Sequence, residues 1–296
     1  MIEQFSVAEV STPQLTFAED LAICVDAEVG GIGISESKLG HGGDAGALAE
    51  FLACGLRATL AVPREHCILP GPQSAGPNDP AERIAMMCAS VRRLAAFDPV
   101  AIGIQAGQTG TRGPAEARAL IVHALRALGR TAASLHPRGF QVALEPVSPH
   151  WASRGWMVTS LADAAELIDE AAEPNLKIVL DTWHLGCPPM QDLKQFSDLI
   201  VLVQVADRQA GALAGNERVL PGRGDIDFAR LVRALAGLGY RGWYELEVPP
   251  PGGAADGGQA ARLRAAAEVT KAAQQYFRAL YQSATAVPAP IGQARP

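Results

Sequence analysis

Residues 177–207 read KIVLDTWHLGCPPMQDLKQFSDLIVLVQVAD. Two continuously apolar runs, Lys177–Asp181 and Ile200–Ala206, stand on either side of a short helix-like segment, Pro188–Asp198. A strand that is apolar at every position suits a parallel sheet covered on its outer face and packed inside, because neither face meets water. The same alternation extends in both directions. Further β-rich runs are Phe5–Val10, Gly31–Ser35, Leu56–Val62, Val100–Ala106, Phe140–Pro146 and Gly242–Val248, which makes eight candidate strands. Helix-like segments separate most of them: Thr16–Val29, Asp44–Cys54, Pro80–Phe97, Pro114–Leu135, Ser160–Ala172 and Phe228–Leu238, with a last one near Ala260–Ser283. Ser160 offers a hydroxyl to the first amides of its helix. Pro80 follows Asn78-Asp79 at a first helical position, and Gly239 ends the pattern of Phe228–Leu238.

Eight strand–helix alternations predict one closed (β/α)8 TIM barrel, an α/β fold, over residues 1–283, with 284–296 as a flexible tail. The length of 296 residues and 48% hydrophobic content suffice for one large core, and no Pro/Gly/Ser-rich linker halves the chain. An open doubly wound sheet would carry a glycine-rich phosphate turn after its first strand. Here Val10-Ser-Thr-Pro13 follows it, and Gly30, Gly31 and Gly33 enter the second strand instead. Two loose segments, Leu69–Pro80 and Pro249–Gly258, follow the third and eighth strands. Both fall on the C-terminal face where barrels build active sites, as lids or as plain connectors.

The bulk properties exclude several classes. Formal net charge is −6 without a basic patch, which opposes nucleic acid as a partner. No apolar stretch approaches the roughly 20 residues of a membrane span, and no signal peptide is read. The five cysteines are scattered, without C-x-x-C spacing, and suit reduced thiols in the cytoplasm.

Polar side chains end four of the candidate strands: Glu145, Asp181, Gln204 and Glu247. A carboxylate at the end of an apolar strand is costly without a partner. Three such costs converging on one face point to a common cause, and a divalent cation is the simplest. The alternative is four separate residues bonded to backbone or arginine. Oxygen donors suit Mg2+, Mn2+ or Co2+.

Five elements, in this order and spacing, resemble the xylose isomerase-like barrel family of sugar and sugar-phosphate isomerases and epimerases. They are Ala143-Leu-Glu-Pro146, Leu180-Asp-Thr-Trp-His184, Val203-Gln-Val-Ala-Asp207, Pro221-Gly-Arg-Gly-Asp-Ile-Asp-Phe228 and Gly239-Tyr-Arg-Gly-Trp-Tyr-Glu-Leu-Glu247. The resemblance implies one metal ion held by Glu145, Asp181, Gln204 and Glu247. Most of the family carries His where this chain has Gln204. An amide oxygen there favours Mn2+, Mg2+ or Co2+ over Zn2+, and dehydroshikimate dehydratases, which are similar in this barrel, also use Gln. Glu245 lies two residues from Glu247 and faces the same side of the strand. Register against the family assigns the ligand role to Glu247, with Glu245 one layer deeper, or farther out if the strand ends early.

The expected reaction is isomerisation or epimerisation of a small polyhydroxylated substrate, a sugar or cyclitol, by proton transfer next to a carbonyl. Glu145 and Glu247 would remove and return the proton. His184, three residues past Asp181, would donate to substrate or act as acid or base. Arg218 and Arg223, flanking Pro221-Gly222, could hold an anionic group on the substrate, and Trp183 or Trp151 could wall it. His66, His41 and Glu36 follow strands and could line the mouth; Arg208 is a similar loop charge. A metal-dependent lyase of the dehydroshikimate dehydratase type and an inactive binding barrel are the competing readings. The apurinic endonucleases of the same superfamily need many His ligands, and this chain has six His in all. A homo-oligomer is implied by the resemblance only.

Overall fold

The computed structural model describes residues 4–40, 44–71, 76–135, 140–209, 217–249 and 258–285. Among the described residues nine parallel strands form one sheet: β1 (Phe5–Ala8), β2 (Gly31–Ser35), β3 (Arg57–Val62), β4 (Cys67–Leu69), β5 (Ala101–Gly107), β6 (Gln141–Glu145), β7 (Leu176–Asp181), β8 (Ile200–Val205) and β9 (Trp243–Leu246). Their order is β3-β2-β1-β9-β8-β7-β6-β5-β4, and a β3–β5 pairing closes the barrel. The fold is a single-domain (β/α)8 TIM barrel. Leu60 and Ala61 of β3 face Ala101 and Ile102 of β5; farther along β5, Cys67 and Leu69 of β4 face Gln105 and Gly107. β4 therefore continues the path of β3 along its neighbour.

The sequence reading gives no strand at β4. Its backbone is held by a side chain from the following helix, α3 (Pro80–Leu94). Arg83, fully buried, donates from Nε to the carbonyl of Cys67 at 2.7 Å and from a guanidinium nitrogen to that of Pro77 at 2.9 Å. It also pairs with Glu65. Glu65 in turn accepts the N–H groups of Cys67 at 3.2 Å and Gly76 at 2.9 Å. A buried charge paired on every side organises the segment between β3 and α3.

The helices begin where side chains supply acceptors. Thr16 and Glu19 form a reciprocal capping box at α1 (Phe17–Asp26). Asp79 caps α3 with Pro80 in the first turn. Ser160 accepts from the N–H of Asp163 at α5 (Leu161–Ala171). The short segment between β7 and β8 holds two helices, a single turn α6 (Thr182–Leu185) and α7 (Met190–Phe196). Helix α4 (Pro114–Leu135) has the bounds read from the sequence, and α2 is Ala45–Cys54. The last helix α9 (Gln259–Thr285) returns over the first strand. Its Phe277 packs on Phe5 at 5.5 Å between ring centroids and on Phe228 of α8 (Phe228–Gly237) at 5.8 Å. Burying such a ring contributes about 1.5–3 kcal/mol, so β1 and α9 are joined through the core. Residues 286–296 of the expected tail, 250–257 of one expected loop, 72–75 of the other, and His41 lie outside the described residues. Among the described residues no helix is long and apolar enough to cross a membrane.

The barrel interior is layered. Leu60, Ala101, Ala143, Val179 and Leu202 form an apolar plug beneath the C-terminal mouth. Because strand side chains alternate, the inward positions two residues on are Glu145 after Ala143, Asp181 after Val179 and Gln204 after Leu202. The polar residues are therefore delivered to one face, above a dry floor.

Candidate active site

Asp181 and the turn that follows it form the centre. Its Oδ1 accepts the N–H of Trp183 at 2.7 Å, capping the single turn of α6. The Oγ1 of Thr182 donates to the carbonyl of Ala206 at 2.8 Å and accepts its N–H at 3.1 Å, tying the ends of β7 and β8 together. Arg208 donates to the carbonyls of Trp183 and His184. The other oxygen of Asp181, Oδ2, points into the buried space shared with His184 and Arg218.

Three groups converge there. One ligand atom each from Glu145, Asp181 and His184 lie within 4.8 Å of one another, a set able to hold a metal ion. His184 Nε2 is 3.5 Å from Glu145 Oε1 and 3.7 Å from Asp181 Oδ2. The opposite ring nitrogen, Nδ1, accepts the backbone N–H of Ser148 at 3.0 Å. A neutral imidazole accepting at Nδ1 carries its proton on Nε2. His184 therefore presents an N–H to the two carboxylates rather than a lone pair. Burial, with Trp151 and Trp183 edge-on to the ring at 4.9 and 5.0 Å, depresses its pKa to about 4, against the opposing pull of Asp181. It is neutral at pH 7.

Arg218 enters the same space from the loop after β8. It donates to Asp181 Oδ2 at 2.9 Å, lies 3.3 Å from Glu247 Oε1, and stacks over the Trp183 ring at 4.9 Å. Its own pKa is raised because Asp181 and Glu247 outweigh the effect of burial. For Asp181, burial pushes the carboxyl up, but Arg218, His184 and the Trp183 N–H outweigh it and hold it below the usual range. Glu247 goes the other way: burial raises it to about 7, Arg218 opposing and Asp181 adding. Glu145 is raised well above the ordinary value by burial and by the charges of Asp181 and Glu247. Gln204 is buried, sits opposite Asp181 in the β7–β8 register, and its Oε1 has no hydrogen-bond partner among the described residues.

The loop that carries Arg218 is built on Asp207. Its Oδ1 accepts the N–H groups of Arg208 at 2.9 Å and Ile226 at 3.0 Å; its Oδ2 accepts those of Gly222 at 3.0 Å and Gly224 at 2.8 Å. The backbones of Asp207 and Val219 also exchange a pair of hydrogen bonds.

The remaining expected residues are spread around this centre. Trp183 is fully buried beneath Arg218 and donates to the carbonyl of Glu217 at 3.1 Å. Arg223 is exposed on the loop. No hydrogen bond links the half-buried ring of His66 to the carboxylates among the described residues; burial lowers its pKa. Glu36 is buried, accepting from the N–H of Arg64 at 2.9 Å and from Arg93 at 3.3 Å. Glu245 occupies the deeper layer: fully buried, it accepts from Thr59, from Ser6 at 3.4 Å and from the N–H of Leu60 at 3.3 Å. A Cβ at Gly33 would stand 2.6 Å from the Glu245 carboxylate, so any side chain there would displace it. One site residue escapes the sequence reading. Gln105 donates from Nε2 to Glu145 Oε2 at 2.9 Å. Its signal is the one that marks Gln204: an amide inside the apolar run Ala101–Gly107.

Residues 46–279 match the family model described as xylose isomerase-like TIM barrel. The chain belongs to this family. Among its curated relatives are Escherichia coli hydroxypyruvate isomerase, 29% identical over 110 residues, and Pseudomonas putida 3-dehydroshikimate dehydratase, 31% identical over 139 residues. These matches cover 36% and 44% of this chain, but only 40% and 20% of the relatives' own lengths. A solved member of similar shape is the IOLI protein with a zinc atom, at a TM-score of 0.76 and 19% identity, covering 96% of this chain and 100% of that one. At that identity the likeness speaks for the fold.

Proposed function

We propose that this family member is a divalent-metal-dependent isomerase or epimerase of a small polyhydroxylated substrate, acting by proton transfer next to a carbonyl. The observation that carries the reading is the Oε1 of Gln204, buried beside Asp181 with no hydrogen-bond partner among the described residues. A buried amide oxygen without a donor costs about 1–3 kcal/mol, and a cation shared with neighbouring carboxylates removes that cost. Glu145, Asp181, Gln204 and Glu247 would hold the ion, an all-oxygen set that favours Mn2+, Mg2+ or Co2+. When bound, the cation polarises the substrate carbonyl and stabilises negative charge developing as the adjacent C–H proton leaves.

The chain's own residues divide the remaining work. Glu247 is placed to exchange a proton with the carbon next to the carbonyl. Glu145 is its counterpart for returning the proton from the other side of the substrate. His184 stays neutral and directs an Nε2–H at a substrate oxygen. Arg218, fixed by Asp181 and Trp183, supplies permanent positive charge near the same oxygens. The similarity to hydroxypyruvate isomerase supports this class.

Gln204 also favours a second reading, a lyase in which the enolate expels water. The similarity to 3-dehydroshikimate dehydratase supports it. One experiment separates the two. Candidate ketoses, inososes and dehydroshikimate are incubated with metal-loaded protein in D2O and followed by NMR and ultraviolet absorbance. Deuterium entering the position next to the carbonyl, lost in Glu145→Gln and Glu247→Gln, is the expected result. An aromatic product absorbing in the ultraviolet would replace the isomerase with the dehydratase.

A further inference from the structure

Three strands place Cys67, Gln105 and Glu145 in one row: Cys67 faces Gln105 across β4–β5, and Gln105 faces Glu145 across β5–β6. The side chains are joined along that row. The Cys67 thiol lies 3.8 Å from Gln105 Oε1, as donor to acceptor, and Gln105 Nε2 donates to Glu145 Oε2 at 2.9 Å. We infer that Gln105 is a positioning residue for Glu145, and that Cys67 sets which end of its amide faces the carboxylate.

The argument is one of donors and acceptors. A carboxylate offers only acceptors, so the amide must present Nε2 to it; turned over, it would set two acceptors against each other. The thiol on the far side has a hydrogen to give and therefore selects the orientation in which Oε1 points away from Glu145. β4 cannot drift from this arrangement, because Arg83 holds the Cys67 carbonyl and Glu65 its N–H. The consequence for Glu145 is a division of labour between its oxygens. Oε2 is taken by Gln105, and Oε1 is turned toward His184 and Asp181, where ligand and substrate chemistry is read above. A fixed hydrogen bond to a ligating carboxylate typically accounts for 10–100-fold in metal affinity.

The consequence for metal binding rests on the proposed metal site; the orientation of the amide does not, so two measurements are paired. Co2+ is titrated into the full-length wild type, Gln105→Leu and Cys67→Ala, with its visible absorption as the signature of coordination. The expected result is at least a tenfold weaker Co2+ affinity and an altered spectrum for Gln105→Leu, which stays folded at the titration temperature by circular dichroism, with a smaller loss for Cys67→Ala. Wild-type affinity and spectrum in Gln105→Leu would overturn the inference. In parallel, the Gln105 side-chain amide resonances are followed in 15N-labelled metal-free protein, assigned by their absence in Gln105→Leu. They should move in both Glu145→Gln and Cys67→Ala. If they move in neither, the row is not coupled and the inference falls. If they move while wild type binds no Co2+, the positioning stands and the metal reading fails.

Discussion

Asp207→Asn tests how the loop carrying Arg218 is held. In the wild type each carboxylate oxygen accepts two backbone N–H groups, from Arg208 and Ile226 on one side and from Gly222 and Gly224 on the other. Asparagine keeps the shape but turns one oxygen into a donor. Whichever way its amide settles, two N–H groups lose their acceptor and face an NH2. A hydrogen bond to a charged group is worth roughly 1.5–3 kcal/mol, so two give about 3–6 kcal/mol. Gly222 and Arg223 reach solvent, and water can replace part of what is lost, so the lower end, about 3 kcal/mol, is expected. For a chain of this size that is a fall in melting temperature of roughly 5 °C. Thermal unfolding by circular dichroism reads the size, and hydrogen exchange reads the place. The amides of Gly222, Gly224 and Ile226 should lose protection before the strands do. A shift below about 1 °C with protection of those amides unchanged would refute the reasoning.

Two further perturbations follow from the buried charges. Glu245 has its carboxyl pushed up to about 7, chiefly by burial, against an unfolded value near 4.5. A raised folded pKa means the folded state holds the proton more tightly. The associated stability, about 3 kcal/mol for that difference, is fully present below about pH 4.5 and is lost as pH rises through 7. Glu247 and Glu145 are raised in the same sense, so Glu245→Gln should reduce, without abolishing, the fall in melting temperature between pH 5 and pH 8, and an unchanged slope would contradict this. Arg218→Met leaves Asp181 and Glu247 without their shared cation, and breaking a buried pair costs about 3–5 kcal/mol. The variant should melt well below wild type in chelator and recover most of the difference in millimolar Mn2+; equal melting in chelator would count against the pairing.

The barrel is legible in the sequence because its strands are apolar on both faces. Gly31–Ser35 and Pro114–Leu135 have the same bounds in sequence and structure. β4 is not legible, since Cys67-Ile-Leu69 is too short to show a period and owes its place to Arg83 and Glu65. At the site, Glu145, Asp181 and Gln204 stand out as polar residues in apolar runs, and Gln105 bears the same mark. The role of His184 is different in kind. Its protonated nitrogen is fixed by the N–H of Ser148, 36 residues away, and no local pattern encodes that contact. Arg218 is visible as a loop charge, but its stacking on Trp183 and its pairing with Asp181 come from the loop geometry that Asp207 imposes.

The most direct test of the metal site is the metal content of the purified protein, measured on wild type, Glu145→Gln and Gln204→Leu after loading with Mn2+, Mg2+, Co2+ or Zn2+ and removal of the excess. The account predicts about one ion per wild-type chain, a rise in melting temperature on loading, and loss of both in the variants. No bound ion and no shift with any of the four metals would contradict it.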